Sequence, residues 1–410
     1  MGYKKDAIKG VSWITLLRVL TRGVTFVRLA ILGRLLTPTQ FGLFGIASLL
    51  LSFLEILTET GINVFFVQEK KDVKEYINSA WVVSIARGII LSVLIICAAP
   101  FISGFFNSPD AYPSILLIAL VPFIRGFINP AIITYQKELL FHKEFRLRSI
   151  IFFVDVAVSI IAGYITRNAI SFVYGLIASA IIEVILSYAL FSLWPKFKFH
   201  YQQIVHIIKR GWWVTLTGIF LYFSDNGDNI AVGKLLGSGP LGIYQVAYKF
   251  STLPISEITG VVNQVVFPVY TKFADDKVRL WKAFVKVSVL SSLGACVLGL
   301  GIFFLAKPII LLFMGGQWLA AVPAIQVLAL YGVLRTIFGN VAPLFLALGK
   351  QDYVAKMTLF RTIALFIIII PCVTNFGMAG AGYAMLFSMF AEIPIISYYA
   401  YKIFKKDSKE

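Results

Sequence analysis

The chain has 410 residues, of which 59% are hydrophobic and 14% charged, with a net charge of +17 and a mean hydropathy of +0.85. A soluble domain averages about 45–50% apolar and about 25% charged residues, so this composition excludes a soluble protein and indicates an integral membrane protein. The positive charge does not indicate a nucleic-acid partner, because the Lys and Arg residues stand in short segments between apolar runs.

Apolar runs long enough to cross a membrane recur along the whole chain. A bilayer core about 30 Å thick needs roughly 20 apolar helical residues. Lipid offers the backbone no hydrogen bonds, and the alternation typical of a β-barrel is absent, so we expect an all-α integral membrane protein. We predict about twelve transmembrane helices, near residues 10–36, 40–68, 78–105, 112–135, 147–167, 169–195, 207–236, 241–270, 281–306, 319–348, 353–374 and 377–402.

The distribution of basic residues predicts the topology. With the N-terminus in the cytoplasm, 24 of the 37 Lys and Arg residues fall in cytoplasmic segments, four fall in outer segments, and nine lie inside spans. Cytoplasmic loops of membrane proteins carry the excess of Lys and Arg. We therefore expect a multi-pass protein of the cell inner (plasma) membrane with both termini in the cytoplasm.

The first predicted span carries a stripe of arginine and threonine about 140° wide. Its members are Thr15, Arg18, Thr21, Arg22, Thr25 and Arg28. Because arginine binds phosphate in a bidentate manner, Arg18, Arg22 and Arg28 are predicted to bind a large anionic head group. The alternative is that each arginine pairs with an internal carboxylate and fixes the packing of the helices.

Seventeen charged residues, Arg361 and Glu392 among them, lie inside the predicted spans. Each costs at least about 2.5–3.5 kcal/mol at the bilayer centre, so they must pair or face a hydrated cavity. On the second span, Glu55 and Glu59 lie one turn apart. They are candidates for gating or coupling, or they neutralise the arginines of the first span.

The second half of the chain repeats features of the first. Gly33–Leu36 corresponds to Gly233–Leu236, and Trp13 to Trp213, at the same offset of 200 residues. We therefore predict two lobes of six helices each, residues 1–200 and 201–410. Six spans per lobe give both lobes one orientation, so we expect a pseudo-twofold axis along the membrane normal and a central cavity.

Two arginines fall opposite each other in this repeat, in the middle spans of the two halves. They are Arg125 and Arg335. The duplication predicts that both line the cavity as symmetric cations that bind substrate. The alternative is a packing role that was copied when the half was duplicated.

The seventh span ends in a cluster of carboxylates and amides around Asp225 and Asp228. These residues are candidates to hold a coupling cation or to shuttle a proton, or they pair with Lys249 of the eighth span. Arg28 and Asp228 occupy equivalent positions in the repeat. They are therefore candidates for a gating pair across the lobes, the alternative being that Asp228 pairs within its own half.

The eighth span is rich in hydroxyl, amide and aromatic groups that suit contact with sugar. They include Tyr244, Gln245, Tyr248, Ser251, Thr252 and Ser256. Tyr244 and Tyr248 are the residues that we predict to bind substrate. Polar residues of this kind also hold membrane helices together, which is the alternative reading.

The sequence contains none of the motifs GxGxxG, Walker A, HExxH or CxxC. The three cysteines lie inside apolar runs, and the three histidines lack the spacing of a metal site. A membrane glycan polymerase or ligase would need catalytic groups in its outer loops, where Asp110 is the one predicted carboxylate. We therefore predict a transporter with no cofactor and no metal, and not an enzyme.

Several motifs, in this order, resemble the polysaccharide transporter (oligosaccharide flippase) family of the multidrug/oligosaccharidyl-lipid/polysaccharide flippase superfamily. They are Lys9–Trp13, Gly33–Pro38, Phe41–Gly42, Asp228 with Gly233–Gly237, Leu241–Tyr248 and Gly316–Trp318. The resemblance covers essentially the whole chain. It implies alternating access between two lobes.

The resemblance also implies a substrate, a polyprenyl-diphosphate-linked oligosaccharide. This lipid would move from the cytoplasmic to the outer leaflet for the synthesis of O-antigen, capsule or exopolysaccharide. Membrane lipid and other glycan-assembly proteins are the further partners to expect. The alternatives are a multidrug or cation antiporter of the same superfamily, which the basic first span fits poorly, and the polymerase or ligase considered above.

Overall fold

The computed structural model describes residues 2–58, 73–198 and 201–405, and in these ranges its regular structure is entirely helical. The α-helices are α1 Gly2–Leu35, α2 Pro38–Leu57, α3 Val73–Phe105, α4 Tyr112–Ile118, α5 Leu120–Arg125, α6 Thr134–Lys137, α7 Phe141–Thr166, α8 Ile170–Ala189, α9 Tyr201–Leu236, α10 Ser238–Lys272, α11 Lys277–Phe313, α12 Val322–Gly339, α13 Val341–Ala347, α14 Gln351–Phe390 and α15 Ile393–Lys405. Short 3-10 helices cover Pro109–Ala111, Pro130–Ile133 and Gly316–Ala321.

A capping box fixes the start of α2. The Thr37 hydroxyl accepts a hydrogen bond from the backbone N–H of Gln40, and the Gln40 side chain accepts one from the backbone N–H of Thr37. Pro38 follows at the first helical position, where its missing N–H does no harm. The chain therefore turns sharply between α1 and α2.

The all-α membrane architecture is confirmed, but the count of twelve spans stays a prediction. Within the described ranges, seven stretches are long and apolar enough to cross a membrane, or eight if a bent pair of helices forms one span. Helices α1, α9 and α10 have 34, 36 and 35 residues, a length that spans a bilayer. They are not among the apolar candidates, and all three carry several charged residues.

The fourth predicted span, residues 112–135, is not one straight helix. It is broken into short pieces, and Pro109–Arg125 and Pro130–Lys137 meet at an angle of 76°. Pro130 has no backbone N–H to continue a helix, and Asn129 is extended and caps the following turn with its side chain. The break follows directly after Arg125, one of the predicted cavity cations.

Helix α14 contains a sharp turn that separates the last two predicted spans. Gly377 has φ 59° and ψ −139°, which lie outside the helical region and are readily reached only by glycine. A methyl group on Gly380 would overlap the carbonyl oxygen of Cys372, eight residues earlier. In a straight helix these positions lie about 12 Å apart, so the chain bends back here.

Contacts divide the chain into two compact units, Met1–Tyr222 and Phe223–Glu410. In the first unit, α7 packs against α1 and α8, while the broken segment α4–α5 contacts α2, α3 and α8. In the second unit, α12 packs against α10, α11 and α14. The fourth predicted span of each half, α4–α5 in the first and α12 in the second, therefore has a central place in its unit. The division at residue 200 that the repeat predicts stays a prediction.

Candidate functional site

A cavity of about 460 Å³ lies inside the second unit, lined by α10, α12, α13 and α14 and by Glu392 beyond the end of α14. Its polar lining residues are Tyr248, Thr252, Ser256, Arg335, Thr336, Thr358, Arg361 and Glu392. Two arginines and one glutamate give this lining a net charge of +1. The volume is within the range of small-molecule sites, about 300–1,000 Å³.

Arg335 is held in the cavity by one hydroxyl and one carboxylate. Its Nη1 donates a hydrogen bond to the Tyr248 hydroxyl at 2.9 Å, and its Nη2 lies 3.5 Å from Oδ1 of Asp225. The Arg335 and Asp225 side chains are 36% and 49% exposed. An ion pair that is long and partly exposed on both sides contributes little stability, so Asp225 holds Arg335 only loosely.

The second arginine of the cavity belongs to a tighter pair. Arg361 Nη1 lies 3.3 Å from Oε1 of Glu392, and Arg361 Nη2 donates to the hydroxyl of Ser224 at 3.2 Å. Both charged side chains are mostly buried. Arg361 thus links α14 to Ser224 of α9 and to Glu392, which lies between α14 and α15 and neutralises the arginine.

A similar cluster lies inside the first unit. Arg125 is 3.6 Å from Glu55 and 3.7 Å from Glu183, and Glu183 is 3.1 Å from Arg148. The two clusters correspond when the predicted spans are counted within each half of the chain. In each half, an arginine of the fourth span and an arginine of the fifth lie near a glutamate of the sixth. In the first unit Arg125 faces two carboxylates, of which Glu183 is shared with Arg148.

Arg28 of the predicted arginine stripe forms an ion pair within the first unit. Its Nη1 donates to Oδ2 of Asp155 at 2.6 Å, and its guanidinium lies over the Phe172 ring at 5.0 Å. This is the internal pairing that the sequence leaves open as the alternative for each arginine of the stripe. The described contacts give Arg28 a role in holding α1 against α7 and α8.

The other arginines of the stripe differ in exposure, and two of its threonines bond to their own helix. Arg18 is half-buried and Arg22 is exposed. The hydroxyls of Thr21 and Thr25 donate to the backbone carbonyls of Leu17 and Thr21. The predicted role of Arg18 and Arg22 in anion binding stays a prediction.

Asp228 is fully buried, with all of its described partners inside the second unit. Tyr244 donates its hydroxyl proton to Asp228 at 2.7 Å, and the side-chain amide of Asn229 donates at 3.0 Å. Tyr244 therefore contacts Asp228 in the interior and is not part of the cavity lining, whereas Tyr248 lines the cavity. Lys249 is half-buried beside Tyr248, and Glu59 lies outside the described residues.

From the sequence, Arg361 and Glu392 are predicted to be charges inside spans, but neither is predicted to belong to a site. For Glu392 the signal is the repeat, because Glu183 and Glu392 precede similar Ser-Tyr pairs in the two halves. A second signal is the spacing of Tyr248, Thr252 and Ser256, which puts three polar groups on one face of α10. Among the described residues, no group of His, Cys, Asp and Glu is arranged to hold a metal ion.

The fold resembles that of a solved membrane transporter. The lipid II flippase MurJ, in an inward closed conformation, aligns with a TM-score of 0.76 over 94% of this chain and 87% of that chain. The two sequences are 15% identical, so this likeness shows the fold alone. It agrees with the expected fold class of the flippase superfamily.

The sequence has relatives that are named for glycan synthesis. The lipopolysaccharide biosynthesis protein WzxC of Escherichia coli K12 is 25% identical over 384 residues, which are 93% of this chain and 77% of that protein. The teichuronic acid biosynthesis protein TuaB of Bacillus subtilis 168 is 24% identical over 366 residues, 85% of this chain and 72% of that protein. Residues 31–323 match the family described as "Polysaccharide biosynthesis protein". This chain therefore belongs to that family of polysaccharide biosynthesis proteins.

Proposed function

We propose that this protein is a flippase for a polyprenyl-diphosphate-linked oligosaccharide. The lipid moves from the cytoplasmic to the outer leaflet of the inner membrane by alternating access and supplies O-antigen, capsule or exopolysaccharide synthesis. Family membership supports this function, as do the names of relatives that act in lipopolysaccharide and teichuronic acid biosynthesis. The fold shared with a lipid II flippase agrees with it. The protein is thus a transporter and not an enzyme.

The observation that carries the proposal is a polar cavity with two arginines inside an apolar helical protein. A sugar head group cannot cross hydrocarbon unaided, because each unsatisfied hydroxyl costs several kcal/mol. The hydroxyls and guanidinium groups of the cavity replace the water that such a head group loses. The polyprenyl tail needs no such site, since it can stay in lipid.

The anionic lipid also gains from the membrane potential. An inside-negative potential favours the outward movement of an anion by about 2.3 kcal/mol per charge per 100 mV. Arg18, Arg22 and Arg125 are our candidates for contact with the diphosphate, and Arg335 is our candidate for contact with the sugar. Coupling or gating through Asp225, Asp228 or Lys249 stays a prediction, as does coupling or gating through Glu55 and Glu59.

The proposal places both termini in the cytoplasm and other glycan-assembly proteins beside the transporter. The charge distribution along the sequence supports this orientation. Glycan-assembly partners follow from the substrate, because enzymes must load the lipid on one side and use it on the other. Reporter fusions at each terminus test the orientation.

The test uses inverted membrane vesicles and a fluorescent polyprenyl diphosphate that carries a sugar. The lipid is added to the exposed cytoplasmic leaflet, and its protection from a membrane-impermeant quencher measures translocation. We expect Arg18→Ala with Arg22→Ala to abolish translocation while the protein stays folded. Arg279→Ala is the matched control, because this arginine is 74% exposed and belongs neither to the arginine stripe nor to the cavity lining.

Undiminished translocation by the double variant would remove the first helix from the proposed site. Absence of translocation in the wild-type vesicles, together with export of cationic dyes, would favour the antiporter instead. Translocation that the wild type performs and the double variant does not would support both the function and the role of the stripe.

A further inference from the structure

Within the cavity lining of the second unit, Arg335 is the charged group whose described counterion is loosely held. Its carboxylate partner, Asp225, stands on α9 outside the cavity lining, is 49% exposed and reaches Nη2 at 3.5 Å. The neighbouring pair Arg361–Glu392 is shorter and mostly buried. A ligand that carries one carboxylate can therefore replace Asp225 without disturbing the second pair.

The surroundings of Arg335 fit a sugar better than a bare anion. The Tyr248 hydroxyl contacts the guanidinium at 2.9 Å, and Thr252 and Ser256 continue the same face of α10 into the cavity. The Thr252 and Ser256 hydroxyls donate to backbone carbonyls of their own helix, so their oxygens remain as acceptors. Such oxygens accept hydrogen bonds from sugar hydroxyls.

The charge of the lining indicates how much negative charge the ligand carries. Glu392 lines the same cavity and would repel a diphosphate, which brings more than one negative charge. The net charge of +1 matches a single carboxylate, and a planar guanidinium binds a carboxylate through two parallel hydrogen bonds. The volume of about 460 Å³ leaves room for the sugar ring that bears it.

We propose that this cavity binds an acidic sugar of the transported glycan, and that the sugar carboxylate takes the place of Asp225 at Arg335. The inference rests on the proposed function, because it names the class of sugar that the flippase selects. Asp225 lies on α9 and Arg335 on α12. The exchange therefore releases a link between these two helices whenever an acidic head group is bound.

The test compares two synthetic polyprenyl diphosphates that differ in one sugar, glucosyl in the first and glucuronosyl in the second. Binding to the purified full chain in lipid nanodiscs is measured at fixed ionic strength. We expect the wild type to prefer the glucuronosyl lipid by on the order of tenfold, the usual effect of a charge-assisted hydrogen bond.

Three variants identify the groups responsible. Arg335→Gln should remove the preference for the glucuronosyl lipid, since the amide has no charge to pair with the carboxylate. Asp225→Asn should bind the glucuronosyl lipid more tightly than the wild type, because it removes the competing carboxylate. Arg279→Gln, an exposed arginine outside the lining, should keep the wild-type preference.

Equal affinity of the wild type for the two lipids would overturn the inference and leave the flippase function standing. If a folded Arg335→Gln variant lost affinity for both lipids equally, the inference would also be overturned, since Arg335 would then bind the diphosphate. If that variant unfolds, the Asp225→Asn result decides: unchanged affinity for the glucuronosyl lipid refutes the exchange. Binding of neither lipid by the wild type would contradict the proposed function itself.

Discussion

The ion pair between Arg28 and Asp155 predicts a large loss of stability when its carboxylate is neutralised. Arg28 Nη1 and Asp155 Oδ2 lie 2.6 Å apart, and the two side chains are 13% and 12% exposed. At an effective dielectric constant of about 20, Coulomb's law gives two unit charges at this distance an attraction of about 6 kcal/mol. Much of this attraction offsets the desolvation of the two ions.

Asp155→Asn keeps the shape of the side chain and removes its charge. The Arg28 cation then stays in the protein interior without its counterion, and we expect the free energy of unfolding to fall by about 3–5 kcal/mol. Replacing both residues by apolar side chains, Arg28→Met with Asp155→Leu, should restore most of this loss because no charge is left buried.

The measurement is reversible unfolding of the purified protein in mixed micelles by added dodecyl sulfate, followed by far-ultraviolet circular dichroism. The control is Asp352→Asn, which breaks the Lys356–Asp352 pair on α14, where the side chains are 52% and 57% exposed. An exposed pair of this kind contributes little to stability. If Asp155→Asn costs no more than this control, Arg28 is not held by the pair and is free to face a hydrated cavity.

Two further predictions concern the backbone. Gly380→Ala should destabilise the protein by at least about 2 kcal/mol, because the added methyl group meets the Cys372 carbonyl, whereas Gly301→Ala in open space should stabilise it by about 0.5–1 kcal/mol. Equal effects of the two glycine changes in the same unfolding assay would contradict the turn at residue 377. Thr37→Ala should cost about 1 kcal/mol by removing the cap of α2, and the conservative Thr37→Ser should recover most of it. An unchanged free energy of unfolding in Thr37→Ala would show that the stability of α2 does not depend on this cap.

The fold class could be predicted from the sequence because a membrane helix leaves a strong signal. Length and hydropathy alone indicate a span, and the charge of the loops indicates its direction. The break in the fourth span was not predicted, since the proline that causes it stands inside an otherwise apolar run. The helices α1, α9 and α10 contain predicted spans as well, although their charged residues weaken the apolar signal.

The candidate site could be predicted only in part. Arg335 and Tyr248 were identified from the repeat and from the polar face of their span, and both line the cavity. The partners of Arg28 and Asp228 were not identified from the sequence. The partner of a buried charge depends on which helices pack together, and these helices can be distant in the chain. Asp155 lies 127 residues beyond Arg28, a separation that no local spacing rule can bridge.

That separation also sets an order of events during synthesis. At about 5–20 residues per second, the ribosome needs roughly 6–25 s to reach Asp155 after it has made Arg28. Throughout this interval the first helix carries a guanidinium whose counterion has not been translated, so the cation must stay near water or lipid head groups. We expect α1 to settle at its final depth only when the fifth predicted span has been inserted.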